Sequence, residues 1–242
     1  KPGAEGQIGQ NDLLTQRPDG NTLLFTGSGG IIYNSVANHA NYENMKKLVP
    51  VSKVTITGQL LLTKKDNDIK TWRDLVKATE TRTVAIGTNS TIMRGMIQEL
   101  FGKNTNVIIV PFSSDAPAYA ALLSKTVDVA VVTFVFENRV ANGEANALAV
   151  TTESGHFNVP SLKELGTGVS REQWYGFFAP PNTPTEIRNK LAHDFDSLKN
   201  DKALIDQIRN NIKAKMSETL SPNEFNNAIE REYRRVLAQQ QK

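Results

Sequence analysis

Arg82-Thr-Val-Ala-Ile86, Val107-Ile-Ile-Val110, Val127-Asp-Val-Ala-Val-Val132 and Ala147-Leu-Ala-Val-Thr151 are short apolar runs spaced along the middle of the chain. Each reads as a buried strand. Helical spacing fills the gaps: Ile92 to Phe101, closed by Gly102, then about Pro117 to Lys125, then a short piece ending at Gly143. Continuous apolar strands need cover on both faces, and helices alternating with them supply it. The stretch predicts an α/β fold with mostly parallel sheets flanked by helices.

Toward the carboxyl end the pattern turns amphipathic. Thr183-Pro184-Thr185-Glu186 places a capping Thr before Pro, and Ile187, Leu191, Phe195 and Leu198 follow on one face. Ser221-Pro222-Asn223-Glu224 repeats the device ahead of Phe225, Ile229, Tyr233 and Val236. A shorter helix between them carries Leu204, Ile205, Ile208 and Ile212. These helices need a surface to cover, and the early strand Thr22-Leu-Leu-Phe25 offers one. The reading is therefore two lobes: residues 1–57 with 177–242, and residues 58–176. The chain crosses between them near 54–63 and 174–178. Trp174, Tyr175, Phe177 and Phe178 read as a hinge strand that packs into cores rather than as a stacking platform for a ligand.

Composition narrows the function. The 242 residues are 39% hydrophobic and 22% charged, the balance of an ordinary globular protein. The net charge of +3 is scattered, with only short basic pairs such as Lys46-Lys47 and Arg234-Arg235, so a nucleic-acid surface is not indicated. Cysteine is absent, which removes thiol catalysis and disulfides. No run approaches the roughly 20 apolar residues of a membrane span. Lys1-Pro2-Gly3-Ala4 shows no charged-then-apolar leader, as in a trimmed chain or a cytoplasmic one.

Ligands of open α/β sheets sit beyond the carboxyl ends of the strands. The loops at those ends are Thr26-Gly27-Ser28-Gly29-Gly30, Gly87-Thr88-Asn89-Ser90-Thr91, Pro111-Phe112-Ser113-Ser114-Asp115-Ala116 and Thr133-Phe134-Val135-Phe136. Small residues let a ligand approach the backbone, hydroxyls bond it, and helix N-termini favour an anion. Any one such loop can be a plain helix cap; their recurrence points to a shared carboxylate site. Phe134 and Phe136 are candidate walls. Chemistry finds less support. His39, His156 and His193 lie far apart, and neither a metal-binding H-E-x-x-H nor a G-x-S-x-G elbow is present. Gly27-x-Gly29 lacks the third glycine of a dinucleotide loop. No metal or organic cofactor is implied.

The ordered series Lys1-Pro-Gly-Ala-Glu-Gly-Gln-Ile-Gly9, Pro18-Asp-Gly-Asn-Thr-Leu-Leu24, Val110-Pro-Phe112 with Ala116-Pro-Ala118, Ala147 to Thr151, Val159-Pro-Ser-Leu-Lys-Glu164 and Trp174-Tyr-Gly-Phe-Phe-Ala-Pro180 with Thr183-Pro184 resembles the TctC-like, or Bug, receptors of tripartite tricarboxylate transporters. The resemblance spans nearly the whole chain. It implies a periplasmic binding protein of the two-lobed type II kind, which closes a cleft between its lobes on a small organic acid or amino acid. Such a receptor is not an enzyme. It hands its ligand to membrane permease subunits, and it is expected to be a monomer.

The family's contact loops carry over to Gly27, Ser28 and Gly29; to Gly87, Thr88, Ser90 and Thr91; to Ser113, Ser114, Asp115 and Ala116; and to Thr133 and Phe134. Family members also carry a strand, a carboxylate-binding loop and a helix ahead of the Lys-Pro-Gly segment. That first unit of lobe 1 is missing here, so the chain is expected to be part of a longer protein or a remnant with impaired binding. Asp115 replaces a small residue of the family, and Arg94 a small polar one. Asp115 is a helix N-cap in the plainer account and Arg94 a surface side chain; together they would also suit an amino acid's ammonium and carboxylate. A periplasmic sensor, or an enzyme using Asp115 in a cleft, are the alternatives.

Overall fold

The structure, a computed structural model, describes residues 6–37, 42–102 and 104–240. Along the chain run α1 (Gln7–Leu13), β1 (Leu24–Gly27), a π-helical turn at Gly29–Tyr33 that continues into α2 (Asn34–Ala37), α3 (Tyr42–Met45), β2 (Val49–Thr57) and β3 (Gln59–Lys64). The middle holds α4 (Trp72–Thr81), β4 (Val84–Thr88), α5 (Thr91–Phe101), β5 (Val107–Pro111), α6 (Asp115–Leu123), β6 (Val129–Thr133), a 3-10 turn at Phe134–Phe136, α7 (Glu137–Ala141) and β7 (Ala145–Val150). After a long loop come β8 (Gln173–Ala179), α8 (Thr185–Leu198), α9 (Lys202–Ile212), β9 (Lys215–Met216) and α10 (Pro222–Gln240). The chain divides into two compact units. One holds the described residues of Lys1–Ile56, Gln173–Asn210 and Ala214–Lys242; the other holds those of Thr57–Glu172 and Asn211–Lys213.

The Thr57–Glu172 unit is built on a five-stranded sheet of order β5-β4-β6-β3-β7. β4 is parallel to β5 and β6, while β3 is antiparallel to β6 and β7. Leu60, Leu62, Ala130 and Val132 pack under α6 with Ala118, Tyr119 and Leu122. Leu61, Val131 and Ile86, which point the other way by strand alternation, are equally buried. The α/β class read from the apolar runs holds, but the sheets are mixed rather than mostly parallel. Leu60-Leu61-Leu62 is apolar because both faces are covered, and that pattern carries no strand direction. Within the run Val54 to Thr63, Gly58 separates β2 in one sheet from β3 in the other. A Cβ on Gly58 would stand 2.5 Å from Thr152 Cγ2 and 2.8 Å from Phe134 Cζ, so the break lies where the backbone runs closest to its neighbours.

Thr71 opens α4 with a reciprocal cap: its hydroxyl accepts from Asp74 N at 3.2 Å, and the Asp74 carboxylate accepts from Thr71 N at 2.9 Å. The Asp74 carboxyl is accordingly held below its ordinary range, by the Thr71 hydroxyl first and by the Lys70 amide. Thr71→Ala removes one side of the box and is expected to cost about 1 kcal/mol, read as a lower urea midpoint with unchanged slope.

The loop from Thr151 to Glu172 has no helix or strand element, yet it is pinned. Val150 N donates to Pro160 O and Leu162 N to Val150 O, each at 2.9 Å, and Arg171 N donates to Thr151 O at 2.6 Å. The Arg171 side chain, 4% exposed, pairs with Glu99 of α5.

The second unit carries a four-stranded sheet of order β1-β8-β2-β9. β8 pairs antiparallel with β1, and β9 with β2. Phe225 of α10 is 1% exposed and seats its ring edge on Trp174, centroids 5.1 Å apart at 81°. On another side Phe177 stacks on Phe195 of α8 at 4.2 Å. Ser221 caps α10 as its sequence promised, with Glu224 accepting from Ser221 N at 2.8 Å. Thr183 does not cap α8. Its buried hydroxyl donates to Pro180 O at 2.8 Å, and Pro184 occupies the cap position without a side-chain bond.

Candidate functional site

Because β4, β5 and β6 are parallel neighbours, their carboxyl ends lie together at one edge of the sheet. β3 starts and β7 ends at the same edge: Gln59 N donates to Thr151 Oγ1 at 3.0 Å, and Thr151 N to Gln59 O at 3.0 Å. The loops read from sequence after Ile86, Val110 and Val132 therefore converge.

After β4, the buried Thr88 hydroxyl accepts from Ser90 N at 3.2 Å. Ser90 then caps α5, accepting from Met93 N at 3.4 Å. Gly87 has a steric reason: a Cβ there would stand 2.8 Å from the Phe112 ring. Arg94 is exposed and bonds Thr91 Oγ1 at 2.8 Å, folded over the first turn of its own helix. After β5, Ser113, Ser114 and Ala116 are exposed, and the Ser114 side chain makes no cap bond to α6.

Asp115 is not the N-cap that the plainer account expected. It is the first residue of α6, and its Oδ2 accepts from Thr133 N at 2.9 Å and Thr133 Oγ1 at 2.6 Å. The carboxylate thus ties α6 to the end of β6. Its Oδ1 is buried with no hydrogen-bond partner among the described residues. Phe134 is 4% exposed and belongs to the core, stacked on His156 with centroids 4.5 Å apart, so it supports the loop from beneath. Phe136 is half-buried against Tyr119. His193 is exposed, as its polar neighbours implied, and His39 lies outside the described residues.

Sequence reasoning passed over Gln59. It is 1% exposed and its Oε1 has no partner among the described residues. The available signal was a single amide after a glycine at the head of the apolar run Leu60-Leu61-Leu62, where a polar side chain needs a reason to be buried.

The fourth loop lies in the other unit. Gly27 closes β1 opposite Tyr175, and a Cβ there would stand 2.9 Å from the Tyr175 ring. Ser28 is fully buried with its Oγ unpartnered among the described residues, and Gly29 opens the π-helical turn. π-Helical turns recur at functional positions.

Among the described residues no group of three or more His, Asp or Glu side chains could hold a metal ion. No described helix is long and apolar enough to cross a membrane.

Comparison with known proteins agrees with this architecture. BugD, a periplasmic binding protein, superimposes with a TM-score of 0.79 at 21% identity, over 98% of this chain and 83% of its own. MatC of Rhodopseudomonas palustris, solved with bound malate, gives 0.78 at 22% identity over 98% and 85%. A second R. palustris protein, solved with adipate, gives 0.79 at 21% identity over 99% and 84%. In sequence, a UPF0065 protein of Agrobacterium vitis is 26% identical over 85% of this chain, and one of Bordetella pertussis 26% over 87%. This chain spans 62% and 68% of the length of those relatives. The profile of the tripartite tricarboxylate transporter family receptors (TctC) matches residues 1–229, and the chain belongs to that family.

Proposed function

We propose that this chain is the ligand-binding part of a periplasmic solute receptor. It captures a small carboxylate-bearing molecule, an organic acid or an acidic amino acid, for tripartite tricarboxylate transport. One observation carries the reading: three parallel strand ends deliver the starts of α5 and α6 to one edge of a sheet beside Thr91, Ser113 and Ser114. Helix N-termini flanked by hydroxyls hold a carboxylate without a basic wall. The relatives solved with malate and adipate support the same ligand chemistry. The receptor acts by binding alone, with the carboxylate seated on N–H groups and bridging water, and permease subunits are its partners.

A thermal-shift series over small carboxylates tests it. A ligand at 100 times its Kd stabilises the native state by about 2.7 kcal/mol. For a chain of this size that is a rise of about 5–10 °C in Tm. A flat response to mono-, di- and tricarboxylates alike overturns the reading.

A further inference from the structure

Two acceptor oxygens are left without partners at the same edge of the five-stranded sheet: Asp115 Oδ1 and Gln59 Oε1. Thr133 lies between their residues. It is the register partner of Gln59 in the β3–β6 ladder, and both its N–H and its hydroxyl go to Asp115 Oδ2. Register also fixes the face. Residues paired across a ladder point to the same side, so Gln59 and Thr133 share a face with Leu61 and Val131, and Thr88, paired with Val131, joins them.

Neither oxygen carries a hydrogen, so they cannot satisfy each other. The Gln59 backbone is already committed to Thr151. A buried acceptor left unmet costs about tenfold to a hundredfold in equilibrium constant. The missing groups are donors. Charge narrows them further, because the partners of Asp115 among the described residues are the two neutral donors of Thr133. A carboxylate in that setting calls for a cation, and Arg94, in the first turn of α5, is turned onto Thr91.

We propose that Gln59 and Asp115 form a specificity subsite that accepts the α-ammonium group of an amino-acid ligand. The inference rests on the receptor reading above and deepens it: the carboxylate lies at the helix starts, and the ammonium hydrogens go to Gln59 Oε1 and Asp115 Oδ1. An ammonium has three donors, enough for both oxygens at once. A hydroxyl has one and satisfies only one of them.

The test uses matched acids that differ only at the α-carbon: aspartate with succinate and malate, glutamate with glutarate, alanine with propionate and lactate. Affinities are measured by calorimetry on the wild-type chain, on Gln59→Leu and on Asp115→Asn, with the ligand-free Tm of each recorded. The expected result is at least a tenfold preference for the ammonium member of the best-binding set. Gln59→Leu and Asp115→Asn should each erode that preference about tenfold, a loss larger than any change in affinity for the deaminated acid. Equal or tighter binding of the deaminated or hydroxy acid overturns the subsite, with acids still binding and the receptor reading intact. Variants that change Tm but not the preference also overturn it, assigning the two oxygens to an internal water. Should none of the acids bind, the receptor reading fails and the subsite fails with it.

Discussion

Arg171→Ala is expected to lower the stability of the Thr57–Glu172 unit by about 3–5 kcal/mol, the range for breaking a buried ion pair. Arg171 is 4% exposed in its side chain, and its guanidinium bonds Glu99 as well as the Ser170 carbonyl. The truncation removes the tie between the Thr151–Glu172 loop and α5, and it opens a hole where the long stem lay. Thr151, at the head of that loop, accepts from Gln59 N through its hydroxyl and donates its own N–H to Gln59 O, so loosening of the loop reaches the edge of the sheet. Trp72, tilted against Phe101 of α5 at 5.8 Å, reports on this unit. In a Trp174→Phe background, its fluorescence in urea should show a midpoint lowered by about 1–3 M. A change under about 1 kcal/mol would mean that water already screens the pair as it does on a surface.

Phe225→Ala is the other large effect, and it belongs to the second unit. The ring is 1% exposed, edge-on to Trp174 and 5.6 Å from Phe178. It also fills the space above Gly176, where a Cβ would meet Phe225 Cζ at 2.8 Å and Ser52 O at 2.7 Å. Gly176 offers no side chain to fill the hole, and the nearest backbone, Ser52 O, belongs to the neighbouring strand β2. A phenylalanine removed from such a place costs about 3–5 kcal/mol. Trp174 is the reporter here, in a Trp72→Phe background. The expected result is a large fall in the Trp174 transition for Phe225→Ala and a small one for Leu198→Ala, whose side chain is 45% exposed. Equal effects at the two positions would refute the packing account.

How far the sequence showed this in advance depends on what each residue was bonded to. The helix beginning at Ser221 was legible because its cap is local: Ser221 and Glu224 satisfy each other within one turn. The same signature at Thr71 and Asp74 is as plain and went unread. Thr183 misled because its hydroxyl turns back to Pro180, and nothing in Thr-Pro distinguishes that choice. Strand ends were read short on the polar side. Thr88 continues the ladder opposite Pro111 although its side chain is polar, so the apolar run stopped before the strand did. The convergence of the three loops in the Thr57–Glu172 unit was legible from the order of strands and helices. The role of Asp115 was not, since its partner is Thr133, 18 residues away. Gln59 was hidden for a related reason: its burial comes from sheet register, which no local pattern encodes.

The strand order β1-β8-β2-β9 sets a schedule for the molecule's assembly. A chain that emerges amino end first presents β1 and β2 long before β8, the strand that lies between them. The five strands β3 to β7, by contrast, are contiguous in the chain and can close their sheet as soon as they appear. At about 5–20 residues per second of synthesis, β1 waits roughly seven to thirty seconds for its partner. During that interval Leu24 and Phe25 stand without Phe178 and Phe177, their partners in the finished ladder. A holdase that binds extended apolar segments should therefore select the stretch around Leu24 and Phe25 over the later strands.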